Sequence, residues 1–243
     1  YHASLNGVFA INSKSEADFK VKSGENIGFS KKMNEPKGMF ALTGGKIITM
    51  DGDKVIENGV IITDGKHIKA VGSASEINIP KDAEVVDVTG KTIMPGIVDA
   101  HAHGSQGSSE IIPQQNWKNF AGLALGVKTI HDPSNDTTEI FTASEMQKAG
   151  MIVGPRIFST GTILYGANMP GYTSHIDSLE DAKFHLERLK KVGAFSVKSY
   201  NQPRREQRQQ VVEAGRELEM MVVPEGGSLL QHNLSLVVDG HTG

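Results

Sequence analysis

After Gly90 the chain repeats one pattern several times: a short apolar run, a polar loop, then a stretch with helical spacing. Thr92–Ala100 reads as a buried strand, 113–126 as a helix, Val127–His131 as the next strand, Glu139–Gly150 as a helix and Arg156–Ser159 as a third strand. Leu179–Val192 places Ala182, Leu186 and Leu189 on one face behind a cap at Asp177 or Ser178. Ala194–Tyr200 follows as a strand, Pro203–Leu218 as a helix with proline in its first turn, and Met220–Val223 as a strand. Strands that alternate with helices pair in parallel, because each helix carries the chain back to the start of the next strand. Five units are expected complete, and a sixth begins near Ser228. An eight-unit barrel needs about 250 residues and about 150 follow Gly90, so length leaves an open doubly wound sheet and a partial barrel both standing.

Upstream the pattern is different. Ile47-Ile48-Thr49, Val60-Ile61-Ile62 and Ile68-Lys69-Ala70-Val71 are separated by Asp51-Gly52, Asn58-Gly59 and Asp64-Gly65. Asx-Gly between β-branched runs is a strong hairpin signal, since both residues tolerate the positive φ of a tight turn. A small antiparallel sheet is predicted over 39–90. Residues 1–38 are polar with scattered apolar points at Val8, Phe9, Ile11, Ile27 and Phe29, and read as a linker or the remnant of a preceding domain. The division is therefore 1–38, a small β domain over 39–90, and βα units over 91–243. The chain opens on Tyr1 and stops at Gly243 without a tail, and is expected to be a piece of a longer protein.

Composition removes several classes of function. With 25 basic and 28 acidic side chains the net charge is −3 and no basic stripe stands out, which argues against a nucleic-acid partner. No apolar run reaches the roughly 18 residues of a membrane span. There is no cysteine, so disulfides and thiolate metal sites are excluded.

The sharpest chemical signal is Pro95-Gly96-Ile97-Val98-Asp99-Ala100-His101-Ala102-His103-Gly104. On a strand, residues i and i+2 share a side, so His101 and His103 project together, about 7 Å apart along the strand. Two such imidazoles at a strand's carboxyl end can converge on one divalent cation, and Gly104 lets the backbone turn away.

Together with the hairpin region, this strand and the βα series resemble the amidohydrolase superfamily of metal-dependent hydrolases. The closer likeness is to its imidazolonepropionase- and prolidase-like branch, often fused to a TolB-like β-propeller. The motifs that carry it are Ala41–Met50, Thr92–Gly104, Ile130–Asn135, Gly154–Gly161, Ser196–Arg205 and Val222–Gly227. The resemblance implies a (β/α) TIM-like barrel beside a small β-sandwich. It also implies hydrolysis of non-peptide C–N bonds in a small amide-type substrate by a metal-bound hydroxide. Two divalent cations are implied, zinc first, with manganese or iron as alternatives, and an extracytoplasmic setting is common among propeller-fused relatives.

The resemblance also maps onto single residues. Lys198, in Phe195–Tyr200, matches a fourth-strand lysine that becomes a metal-bridging carbamate. A lysine aimed into a barrel loses solvation, which favours the neutral amine that takes up carbon dioxide; the bland reading is a lysine snorkelling to the rim or paired with a carboxylate. Glu225 stands where the fifth strand usually ends in histidine, so it is a metal ligand, a supporting acceptor or a substrate contact. The sixth-strand histidine and the eighth-strand aspartate that takes the proton from the attacking water are expected beyond Gly243; His241 reads as a neighbour of the former. His232 reads as structural.

Other polar residues cluster at strand ends. His131, Tyr165, Tyr200 and Asn201 are substrate-contact candidates, with Gln202 beside them. The Asp132-Pro133-Ser134-Asn135 run fits turn chemistry as well as substrate binding. Tyr165 to His175 reads as a long lid-like loop. Arg204, Arg205 and Arg208 read as a solvated helix face, and Met146, Met220 and Met221 as core filler.

Two further readings belong beside the hydrolase: a catalytically inactive fragment or pseudoenzyme whose open strand edges pair with a second copy, and a mononuclear deaminase that keeps the histidine pair without needing Lys198. The chain by itself is expected to show little turnover.

Overall fold

The computed structural model describes residues 2–3, 24–25 and 30–242. The chain divides into two compact units, Tyr1–Met33 and Asn34–Gly243. In the first, β1 (His2–Ala3) pairs antiparallel with β2 (Gly24–Glu25). The apolar points noted in the first 30 residues lie outside the described residues.

In the second unit, β3 (Met39–Ile48), β4 (Val55–Asp64), β5 (His67–Ser73), β6 (Glu84–Asp87) and β7 (Thr92–Ile93) form one sheet. Its order is β5-β4-β3-β6, with β7 also against β3. The expected hairpins account for β3, β4 and β5, which pair antiparallel. The sheet is nevertheless mixed, because β6 and β7 both join β3 in parallel. Among the described residues this is a single sheet rather than two facing ones. Ala41, Val60 and Ile62 form its buried face, with Met39, Ala70, Ile77 and Ala83 packed around them.

The three Asx-Gly pairs have two different roles. Gly52 and Gly65 take positive φ in the turns that follow β3 and β4. Asn58-Gly59 lies inside β4, where Asn58 has φ 48° and Gly59 stands opposite Gly45 at a break in register. A Cβ on Gly59 would fall 2.7 Å from Ile47 Cγ1, so the glycine marks a bulge and a close approach instead of a turn.

The remaining elements alternate strand and helix as the sequence predicts, except that two further strands follow the one at Arg156–Ser159 with no helix between them. They are β8 (Ile97–Asp99), α1 (Trp117–Ala124), β9 (Val127–Asp132), α2 (Thr137–Lys148), β10 (Arg156–Ser159), β11 (Ile163–Tyr165), β12 (Thr173–His175), α3 (Leu179–Lys191), β13 (Ser196–Ser199), α4 (Arg205–Glu217), β14 (Met221–Pro224) and α5 (Leu230–Asp239). All these strands pair in parallel, in two sheets ordered β10-β9-β8 and β12-β11-β13-β14. Caps set the helix starts: Asn116 for α1, Asp136 for α2, and for α3 a Ser178–Asp181 capping box. Pro203 precedes α4 rather than starting it, and Arg204 is the N-cap.

The largest core cluster joins α3 and α4 to the outer face of the second parallel sheet through Ala182, Leu186, Leu189, Val197, Val211 and Val222. Three expectations change here. Thr92–Ala100 is not one buried strand: Met94-Pro95-Gly96 divides it, β7 joins the small sheet, and β8 is an edge strand with Val98 61% exposed. The loop expected between Tyr165 and His175 is framed by β11 and β12, which pair with each other. Met220 is core, but Met221 is 43% exposed.

Candidate metal centre

The carboxyl ends of β8, β9, β13 and β14 supply the candidate residues. His101 and His103 lie just past β8, in a turn where Asp99 Oδ1 accepts from the His101 amide at 3.1 Å. That bond ends the strand earlier than the i, i+2 argument assumed. The two rings still face each other, with centroids 5.0 Å apart and planes at 65°. Both side chains are exposed.

His103 has support from the turn after β9. Its Nδ1 is 3.4 Å from Ser134 Oγ and 4.0 Å from Asp132 Oδ1. Asp132 is buried and accepts from the Ser134 amide and from Asn135 Nδ2, which also donates to the Gly104 carbonyl. Burial pushes the Asp132 carboxyl above the usual carboxylate range, against the pull of Asn135, Ser134 and the two nearby imidazoles. The Asp132–Asn135 run is thus turn chemistry that also holds the His103–Gly104 backbone.

His131 is enclosed. Its Nδ1 faces the Ala100 carbonyl at 3.3 Å, and its Nε2 lies 2.7 Å from Ser196 Oγ. Burial lowers its pKa below the ordinary histidine value, and the positive charges of His101 and Lys198 act in the same direction. The Ala100 carbonyl and Asp132 oppose that shift.

Ser196, Val197, Lys198 and Ser199 are all buried in β13. Val197 packs into the helix-side core, so Ser196 and Lys198 take the opposite face. The Lys198 side chain is 1% exposed, and its Nζ is 2.7 Å from Glu225 Oε2. Lys198 therefore does not snorkel; it pairs with the Glu225 carboxylate, the other alternative that the sequence left open. Glu225 follows β14 directly, and its amide donates to the Ser199 carbonyl at 3.0 Å.

The substrate-contact candidates occupy a neighbouring rim. The Tyr165 and Tyr200 rings meet edge to face at 5.2 Å. Asn201 Oδ1 is 3.1 Å from His232 Nε2, so His232 orients that amide. Gln202 is committed to the fold, receiving the Gly166 amide and donating to the Leu164 carbonyl. His241 Nδ1 bonds the Leu236 carbonyl that ends α5. A cavity of about 340 Å³ formed by Ala167, Asn168, Met169, Pro170, Thr173 and His175 contains none of the candidate donors.

Among the described residues, no three histidine, aspartate or glutamate side chains converge as a cation site. The donors fit a divalent cation only when Lys198 is counted as a carbamate. A lysine amine that is 1% exposed and has the Glu225 carboxylate 2.7 Å away is the observation that admits it. Ser196 went unnoticed in the sequence, although its position two residues before Lys198 on one strand was a usable signal. Arg204 and Arg205 are exposed as expected, but Arg208 is buried and, with Arg205, grips Asp239.

No protein-family model matches the chain. The imidazolonepropionase of Bacillus cereus (strain G9842) is 29% identical over 168 residues, 64% of this chain and 32% of that protein. The enamidase of Eubacterium barkeri is 33% identical over 89 residues, 35% of this chain and 22% of that protein. The chain thus spans about a third of the length of the first relative it matches. Among solved structures, an amidohydrolase aligns with TM-score 0.68 at 17% identity, over 84% of this chain and 59% of that one. The ochratoxinase of A. niger aligns with TM-score 0.65 at 18% identity, over 84% and 59%. The chain is thus similar in sequence to hydrolases named imidazolonepropionase and enamidase, and it shares its fold with solved amidohydrolases.

Proposed function

We propose that residues 91–243 are the first five to six βα units of a (β/α) barrel, that 39–90 form the small β domain beside it, and that 1–38 lead into both. Strand order supports the barrel: β8, β9 and β10 neighbour one another in sequence order, as do β11, β13 and β14, although β12 lies on the far side of β11. His131 of β9 and Ser196 of β13 belong to different sheets and still meet at 2.7 Å, as interior residues of a closed barrel would.

The chain on this reading carries the metal-holding part of a hydrolase of non-peptide C–N bonds. The bond type follows the relatives named imidazolonepropionase and enamidase. The single observation that carries the chemistry is the buried Lys198 amine, 2.7 Å from Glu225, in a chain whose His101 and His103 rings stand together. His101 and His103 would hold one divalent cation, Lys198 as a carbamate would bridge to a second, and Glu225 would hold the second. When bound, such cations lower the pKa of water to about 7 and polarise a carbonyl.

Charge balance favours the same assignment. With an ammonium on Lys198, the pair with Glu225 is neutral. Carboxylation replaces that ammonium by an anion next to a second anion, and two adjacent carboxylate groups need a cation between them. Away from the cations, Asn201 is held through its oxygen by His232, leaving its amide free to donate to a substrate acyl oxygen. The Tyr165–Tyr200 pair offers an aromatic wall, and His131 backs the site between them and the histidine turn.

A second reading has its own observation. Because no three His, Asp or Glu side chains converge among the described residues, this reading makes the chain a catalytically inactive piece that binds a cation weakly or not at all. One experiment tests both. The purified chain is loaded with zinc or manganese and bicarbonate, its metal content is measured, the carbamate carbon is sought by ¹³C NMR, and cyclic imides, ureas and N-acyl amino acids are offered. Two cations and a carbamate, both lost in Lys198→Ala, are expected, with little turnover. One cation without a carbamate would move the assignment to a mononuclear deaminase, and no retained cation would refute the metal centre.

A further inference from the structure

We propose that His131 is the positioning residue of this centre, setting the distance between the turn that carries His101 and His103 and the strand that carries Lys198. The inference rests on the metal-centre reading above. Three bonds define it. The Ala100 carbonyl can only accept, so His131 Nδ1 carries the proton that faces it at 3.3 Å. Nε2 is then the acceptor, and Ser196 Oγ donates to it at 2.7 Å. The His131 carbonyl in turn accepts from the Ala102 amide at 3.0 Å.

The two residues that flank His101 in sequence, Ala100 and Ala102, are therefore both fastened to His131. At its far end the ring is fastened to Ser196, which shares a face of β13 with Lys198 two residues on. One imidazole thus spans from the β8 turn to β13, which belong to different sheets. β8 needs such a tie, because it is an edge strand of only three residues with each of them exposed. Packing alone leaves its end free to shift, and a shift of the turn moves both imidazoles relative to Lys198. The ring is further fixed by Phe195, whose centroid is 5.5 Å away. With both nitrogens engaged inside the protein, His131 acts through its neighbours rather than on a substrate. Such outer supports of metal ligands typically control affinity by 10- to 100-fold.

The test uses cobalt(II) as probe, bound by the full chain in the presence of bicarbonate, with two variants. Ser196→Ala removes one hydroxyl at nearly constant volume, and His131→Gln keeps a polar side chain without the span. Circular dichroism and thermal melting check that each variant is folded. The expected result is cobalt binding about 10- to 100-fold weaker in both variants, with an altered visible cobalt spectrum, and a double variant no weaker than the worse single one, since both cut one connection. Wild-type affinity and spectrum in Ser196→Ala would overturn the positioning role, and so would unchanged cobalt affinity in His131→Gln. If the unaltered chain binds no cobalt at all, the metal-centre reading itself has failed, a result distinct from either of these.

Discussion

Asp239, the last residue of α5, joins that helix to α4. Its side chain is 1% exposed and accepts from Arg205 Nη2 at 2.6 Å, from Arg208 Nε at 2.8 Å and from Gln209 Nε2 at 3.3 Å. The guanidinium of Arg205 is the main cause that brings the carboxyl from 3.8 to about 2, with Arg208 and Gln209 adding to it against the cost of burial. At about 1.4 kcal/mol per factor of ten in proton affinity, and with solvent around the exposed Arg205, that drop corresponds to about 2 kcal/mol at most. Because the folded-state pKa is depressed, the stabilisation is fully present above pH 4 and is lost as the pH falls toward 2. Asp239→Asn removes the anion and leaves the Arg208 guanidinium, 7% exposed, without its counter-charge. Breaking a buried pair from one side costs about 3–5 kcal/mol, so the variant should be weaker than the parent at pH 7 by more than the pKa drop alone implies. Urea unfolding followed by far-ultraviolet circular dichroism at pH 7, 4 and 2.5 measures both effects. The parent should lose stability relative to the variant between pH 4 and 2.5, narrowing the gap. Parallel curves across that interval would refute the account of Asp239 as the charged clasp between α4 and α5.

Ser178→Ala removes the side-chain half of the α3 capping box, in which Ser178 Oγ accepts from the Asp181 amide at 3.1 Å; thermal melting should show a loss of about 1 kcal/mol, and Ser178→Gly a smaller one. Gly59→Ala places a methyl group against buried Ile47 inside β4, so it should destabilise by about 1–3 kcal/mol, whereas Gly52→Ala, with open space around it, should cost only the strain of its positive φ; urea midpoints distinguish overpacking from strain.

The elements that sequence reasoning located best were those whose signals are local. Ser178 followed three residues later by Asp181 announces α3, and Ala182, Leu186 and Leu189 at helical spacing announce the face it buries. Asp64-Gly65 between two β-branched runs announces the β4–β5 hairpin. The same dipeptide logic failed at Asn58-Gly59 because the deciding neighbour is far away in sequence: Gly45 and Ile47 on β3 occupy the space a side chain would need, so the flexible pair bends a strand instead of reversing it. β8 failed in another way. An apolar run such as Ile97-Val98 reports what a strand is suited to bury, but burial depends on what packs over it, and in this chain the outer side of β8 has no strand against it.

At the candidate centre the split between legible and hidden follows the same physics. His101 and His103 are one residue apart, so any extended or gently turning backbone keeps their rings together, and neither the early end of β8 nor the turn at Asp99 altered that outcome. Lys198 and Glu225 are 27 positions apart by their numbers, and their 2.7 Å approach follows from the β13–β14 register, in which Ser199 stands beside Pro224. Ser196 and His131 were harder still, because they belong to strands of two different sheets, which no local signal relates. Arg205 and Arg208 looked like surface charge because a helix face rich in arginine usually is; Asp239, from a helix 31 residues beyond Arg208, turns one of them inward. Contacts within one sheet follow from strand register. Contacts between the two parallel sheets require their arrangement to be known first, and in this chain they tie the histidine turn to the lysine strand.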